Sequence, residues 1–145
     1  PFVINYSVVN GGSVSPTSAN YDLGTPVIFP LPVRNGYTFA GWATAATGGS
    51  VIGLNGASYS PTGNVTVYAT WTGISYPITY NSNGGSSTVP SSATYTSGGS
   101  AHTIAAAPGG MTKSGYTFNG WNTLATGLGT NYAVGSSYEK SRPKG

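Results

Sequence analysis

The chain has 145 residues, of which only 5% are charged, with a formal net charge of +3 and no cysteine. Without cysteine there is no disulfide framework and no zinc-thiolate site, and no run of about 20 apolar residues is available to span a membrane as a helix. The positive charge collects in the tail, where Lys140, Arg142 and Lys144 sit with Glu139; elsewhere only Arg34 and Lys113 stand against Asp22. That leaves no basic stripe for a phosphate backbone and excludes nucleic acid as a partner.

Eleven Tyr, 4 Phe and 3 Trp stand against 23 Gly and 10 Pro. Disordered chains are poor in aromatic residues, so this composition describes a folded, turn-rich β protein. In residues 2–9, Phe2, Ile4, Tyr6 and Val8 fall on one face, the two-residue period of a half-buried strand. Asn10-Gly11-Gly12 follows and supplies residues that tolerate positive φ, so the chain reverses there. In Gly36-Tyr-Thr-Phe-Ala-Gly-Trp42, Tyr37 and Phe39 share a strand face while Trp42 has the opposite parity. A glycine bulge at Gly41 would add one residue and return Trp42 to the core. The alternative for such a tryptophan is an exposed stacking platform for sugars. Residues 65–71 then read as a closing strand, with Val65, Val67, Ala69 and Trp71 inward.

The pattern starts again after a linker of residues 72–75. Tyr76, Ile78 and Tyr80 repeat the first strand, Asn83-Gly-Gly85 repeats the turn, and Gly115-Tyr-Thr-Phe-Asn-Gly-Trp121 repeats the aromatic motif at an offset of 79. Tyr21 and Gly24 correspond to Tyr95 and Gly98 at an offset of 74, so repeat two carries five extra residues between Gly98 and Gly115. Such insertions concentrate in surface loops. Within that loop residues 100–107 have Ser100 as a possible cap, three alanines and Pro108 as a stop, which allows one short helical turn. Ser58-Tyr59 corresponds to Ser137-Tyr138 at the offset of 79, which would place the closing strand of repeat two at 144–150. The expected division is 1–73 for the first repeat domain, 74–138 for a second lacking its last strand, and 139–145 for a tail, a linker or an expression remnant. An unpaired sheet edge and part of the core of repeat two would then be exposed, read first as the mark of a truncated fragment and, as the alternative, as a site of self-association where a neighbouring chain inserts its own strand. The start at Pro1 without Met is read as an excerpt of a longer or processed precursor.

Taken together, the Tyr-containing strand, Asn-Gly-Gly, Gly-Tyr-Thr-Phe-X-Gly-Trp, a Thr-Gly-Gly or Thr-Gly-X-Gly turn and a closing Ala-X-Trp strand resemble the internalin B-type repeat, also called the Listeria/Bacteroides repeat. Gly120-Trp-Asn-Thr-Leu-Ala-Thr-Gly-Leu-Gly129 is especially similar to it. The resemblance implies a mainly β chain of two tandem small β-grasp-like repeat domains with little or no helix. It also implies a place in large bacterial surface or secreted proteins, as a spacer, an adhesive stalk or a partner-binding module.

The residues offer little chemistry. Acid-base hydrolysis needs two placed carboxylates or an oriented His, yet the sequence before Lys140 holds only Asp22, Glu139 and His102 as acids and imidazole. Neither an enzyme, a cofactor site nor a metal centre is expected. An isopeptide crosslink through Lys113 would need a neighbouring acid, and none is foreseen. The expected role is a non-enzymatic extracellular or cell-surface spacer or adhesive module. The alternative is a module that binds a host or cell-wall glycan or protein through the enlarged loop and through Tyr68, His102, Tyr132 and Tyr138, and a third reading is a fibre subunit joined by strand exchange.

Overall fold

The computed structural model describes residues 1–86 and 88–139, and these form two compact units, Pro1–Ile74 and the residues from Ser75 onward. All regular structure among them is β. Unit one contains β1 (Phe2–Ser7), β2 (Ser18–Tyr21), β3 (Val27–Ile28), β4 (Tyr37–Ala43), β5 (Val51–Gly53), β6 (Ser58–Tyr59) and β7 (Val65–Gly73). Five of them form one sheet in the order β2-β1-β7-β4-β5, and β3 pairs with β6 as a separate two-stranded ribbon. β7 lies in the middle, parallel to β1 and antiparallel to β4.

Alternation along β1 and β7 buries Ile4 and Tyr6 of the first and Val67 and Ala69 of the second. They pack with Tyr21, Val27, Phe29 and Trp42 into one core. Trp42 is fully buried because the β4 register shifts between Phe39 and Gly41, where Gly41 adopts a φ of 131°. The bulge expected from the sequence therefore turns the indole inward, and its Nε1 donates to the Pro30 carbonyl at 3.0 Å.

Unit two contains β8 (Ser75–Ile78), β9 (Ala93–Thr96), β10 (His102–Thr103), β11 (Trp121–Asn122), β12 (Asn131–Tyr132) and β13 (Ser137–Tyr138). Three antiparallel pairs form: β8 with β9, β10 with β13, and β11 with β12. They reproduce β1-β2, β3-β6 and β4-β5 of unit one. No strand among the described residues corresponds to β7, whose matching positions begin at 144, outside the described residues.

The internal ties repeat as well. Asn10 Nδ2 donates to the Ala46 carbonyl at 2.9 Å, and Asn83 Nδ2 donates to that of Ala125 at 2.9 Å. The Arg34 guanidinium lies 3.7 Å from the Tyr37 ring centroid, and the Lys113 ammonium lies 4.6 Å from that of Tyr116. Ser13 and Val33 form a bridge in unit one; in unit two the Ser86 amide donates to the Thr112 carbonyl at 2.8 Å. These matches localise most of the insertion to 108–111, since Ala107 is buried as Pro32 is, and Thr112 takes the place of Val33.

A helical turn over 100–107 does not form. His102–Thr103 is a strand, the Ile104 amide donates to the Ser136 carbonyl, the Ala105 amide donates to Tyr80 Oη, and the Ala105 carbonyl accepts from the Trp121 indole. Tertiary partners take the backbone groups that a helix would have paired internally, which overrides the weak preference of three alanines.

Candidate functional site

In unit two the two halves that β7 would join face an open groove of about 840 Å³. One wall is the chain from Pro77 to Tyr80, and the other runs from Tyr116 through Asn122. β8 carries a partner on one edge only, as does β11, so neither has a strand on its groove side among the described residues.

Aromatic side chains make the floor. Tyr80 and Trp121 lie with ring centroids 4.8 Å apart, and Phe118 and Trp121 5.3 Å apart. The corresponding distances in unit one are 5.2 Å for Tyr6 and Trp42 and 5.5 Å for Phe39 and Trp42. The indole is oriented identically, since Trp121 Nε1 donates to the Ala105 carbonyl at 2.9 Å as Trp42 donates to Pro30. Covering differs. In unit one Val67 lies opposite Tyr6, and Ala69 opposite Trp42, so both rings are buried. In unit two Trp121 is half-buried and Phe118 remains 38% exposed.

Behind the floor, Tyr80 Oη lies 2.7 Å from His102 Nε2 and also accepts the Ala105 amide proton at 3.1 Å. Tyr138 stacks edge-on against Tyr132 at 5.5 Å and Tyr95 at 6.0 Å. Burial pushes the Tyr138 hydroxyl above the ordinary tyrosine value of 10.0, and Tyr132, Tyr76 and Tyr95 add to the rise.

A phenol whose folded pKa is raised stabilises the fold while it is neutral and loses that contribution as pH rises past its unfolded value. Burial raises Tyr6 in unit one in the same sense. Both units are therefore expected to lose thermal stability above pH about 10, and a melting temperature flat from pH 8 to 11 would contradict the burial of these hydroxyls.

Of the residues singled out from sequence, Tyr132 and Tyr138 line the groove, and His102 stands behind it through Tyr80. Tyr68 belongs to β7 of unit one, where it lies opposite Ala43. All four are half-buried. The enlarged loop contributes Met111, Thr112 and Lys113 to the groove rim. Ile78, Tyr80 and Phe118, which also line the groove, were not singled out; Tyr80 is buried at 7% and Phe118 is 38% exposed. Among the described residues no three His, Cys, Asp or Glu side chains gather to hold a metal ion. Asp22 lies in unit one, and His102 and Glu139 lie in unit two.

Two small β units with matching aromatic contacts, a positive-φ glycine before the tryptophan and matching turn ties define a tandem repeat module. The chain belongs to the Listeria-Bacteroides repeat domain family, whose model matches residues 2–70 and again 76–142. Internalin H of Listeria monocytogenes is 37% identical over 96 residues, which is 66% of this chain and 16% of that protein. A protein of Evansella cellulosilytica named "Putative membrane protein" is 26% identical over 141 residues, 94% of this chain and 20% of its own length. The chain thus spans a fifth or less of the relatives it matches. No solved structure matches it. The chain is thus a β repeat module of that family, related in sequence to Internalin H. No helix among the described residues is long and apolar enough to cross a membrane.

Proposed function

We propose that this chain serves outside the cell, at a bacterial surface or in a secreted protein, as a spacer or adhesive stalk module that carries a binding partner's site elsewhere in a longer protein. The observation that carries this reading is the repetition of one scaffold: both units use the same indole to carbonyl bond, the same Asn tie and the same cation over a tyrosine ring, while the described titratable groups form no reactive cluster. The kinship with Internalin H and the very low charge support the extracellular setting. Only Ile74 separates β7 from β8 along the chain, and so short a link suits a stalk built by adding units in series.

A spacer has no ligand of its own. The 145-residue chain is therefore expected to bind no glycan on an array and no extracellular protein from the surface of host cells. Saturable binding that disappears when 108–111 are removed would replace this reading by that of a recognition module using the enlarged loop.

A further inference from the structure

We infer that Asn35 is a site of self-modification, at which the Gly36 amide attacks the Asn35 side chain and converts it to aspartate and isoaspartate with no reagent but water. The inference goes beyond the spacer reading and does not depend on it. Five Asn-Gly pairs occur in the chain, at 10–11, 35–36, 55–56, 83–84 and 119–120. Glycine favours this reaction because no Cβ shields its nitrogen from the side-chain carbonyl of the residue before it. For the ring to close, the peptide plane between Asn and Gly must rotate and its nitrogen must leave any hydrogen bond. The fold therefore decides which pair reacts.

Four of the pairs are tied. The Gly11 amide donates to the Val8 carbonyl at 2.8 Å, while Asn10 Nδ2 donates to that of Ala46 at 2.9 Å. The Gly56 amide donates to the Phe29 carbonyl at 2.9 Å. At the other two, the Asn carbonyl belongs to the plane that must turn, and it is held: that of Asn83 accepts from Lys113 Nζ at 3.2 Å, and that of Asn119 accepts from Asn131 Nδ2 at 3.2 Å. Asn35 differs. Its side chain is exposed, and among the described residues no hydrogen bond involves that side chain, the Asn35 carbonyl or the Gly36 amide. It stands in a turn closed by the Tyr37 amide on the Arg34 carbonyl at 3.2 Å. Unit two builds the matching turn with Ser114-Gly115, closed by the Tyr116 amide on the Lys113 carbonyl at 2.9 Å, and both glycines have a φ of 82°. The turn thus forms without asparagine, and serine cannot undergo the reaction.

The step balances without an oxidant. The Gly36 nitrogen gives up its proton and bonds to Asn35 Cγ; the Cγ–Nδ2 bond breaks, and Nδ2 leaves with that proton as ammonia. Water then opens the cyclic imide. Cleavage between Cγ and the Gly36 nitrogen gives aspartate, and cleavage at the Asn35 main-chain carbonyl gives isoaspartate, whose chain runs through Cβ and Cγ. Either product places a carboxylate beside Arg34 and lowers the formal net charge of +3 by one. Isoaspartate also lengthens the turn by a main-chain atom. That pulls apart the closure between Arg34 and Tyr37 and displaces the Gly36 carbonyl, which receives the Ile74 amide at 2.9 Å.

The test incubates the 145-residue chain at mildly alkaline pH, with and without guanidinium chloride, and maps the amide-to-acid mass change by peptide mass spectrometry. In the folded chain Asn35 is expected to react at least about tenfold faster than Asn10, Asn55, Asn83 and Asn119, since each of those must first open locally. In denaturant the five rates should converge. Asn35→Ser, the residue of the matching turn in unit two, should remove the fast event and leave the melting temperature unchanged. The isoaspartate form, separated by ion exchange, should exchange its Tyr37 and Ile74 amides faster than the parent chain does. Reaction at Asn35 no faster than at the other four pairs in the folded chain would overturn the assignment. So would a preference for Asn35 that persists in denaturant, because local sequence and not the fold would then set the rate.

Discussion

Trp42→Ala is expected to unfold unit one while unit two keeps its own transition. Trp42 is fully buried, and its ring meets Tyr6, Phe29 and Phe39 at centroid distances of 5.2, 6.3 and 5.5 Å. Truncating a buried aromatic to alanine costs about 3–5 kcal/mol through lost transfer energy and the cavity that remains. A domain of this size holds only on the order of 5 kcal/mol, so the loss consumes most of its stability. Urea unfolding followed by near-ultraviolet circular dichroism should show the first unit already unfolded in water. Trp42→Phe separates the two contributions, because it restores most of the volume but leaves the Pro30 carbonyl without its 3.0 Å donor. An alanine variant whose midpoint shifts only slightly would mean that the indole is not the keystone of this core.

Gly41→Ala is the second large effect, and its cause is different. A Cβ at this position would lie 2.5 Å from Val51 Cγ1 and 3.2 Å from the Gly53 carbonyl oxygen, on a backbone with φ of +131°. The conformation alone costs an L residue about 1–3 kcal/mol, and the close contact adds overpacking of about 1–3 kcal/mol. Relaxing either strain would flatten the bulge and rotate Trp42 out of the core, coupling this substitution to the first. Gly48→Ala is the control, since Gly48 has a φ of +71° and nothing within 4 Å of a new Cβ. It should cost about 1 kcal/mol, the left-handed penalty by itself. Equal melting temperatures for the two variants would show that the bulge has no role in seating the indole.

How far the chain could be read before its fold was known depends on the range of each signal. The alternation in 2–9, the positive-φ glycines and the opposite parity of Trp42 are set by bonds and sterics within a few residues, so they were legible. The bulge at Gly41 and the burial of Trp42 follow from that local logic. Residues 100–107 were misleading for the opposite reason. Their alanines permit a helix, but Tyr80, Trp121 and Ser136, distant in sequence, claim the backbone groups.

The amino-acid sequence by itself determined the repeat, the β class, the strand faces and the absence of a cysteine framework. Only the tertiary structure decided that β7 runs through the centre of its sheet, parallel to β1 and antiparallel to β4. Side-chain alternation records which face of a strand is buried, but a strand's place in the sheet is a choice among distant partners. That choice is made by which aromatic surfaces must be covered together.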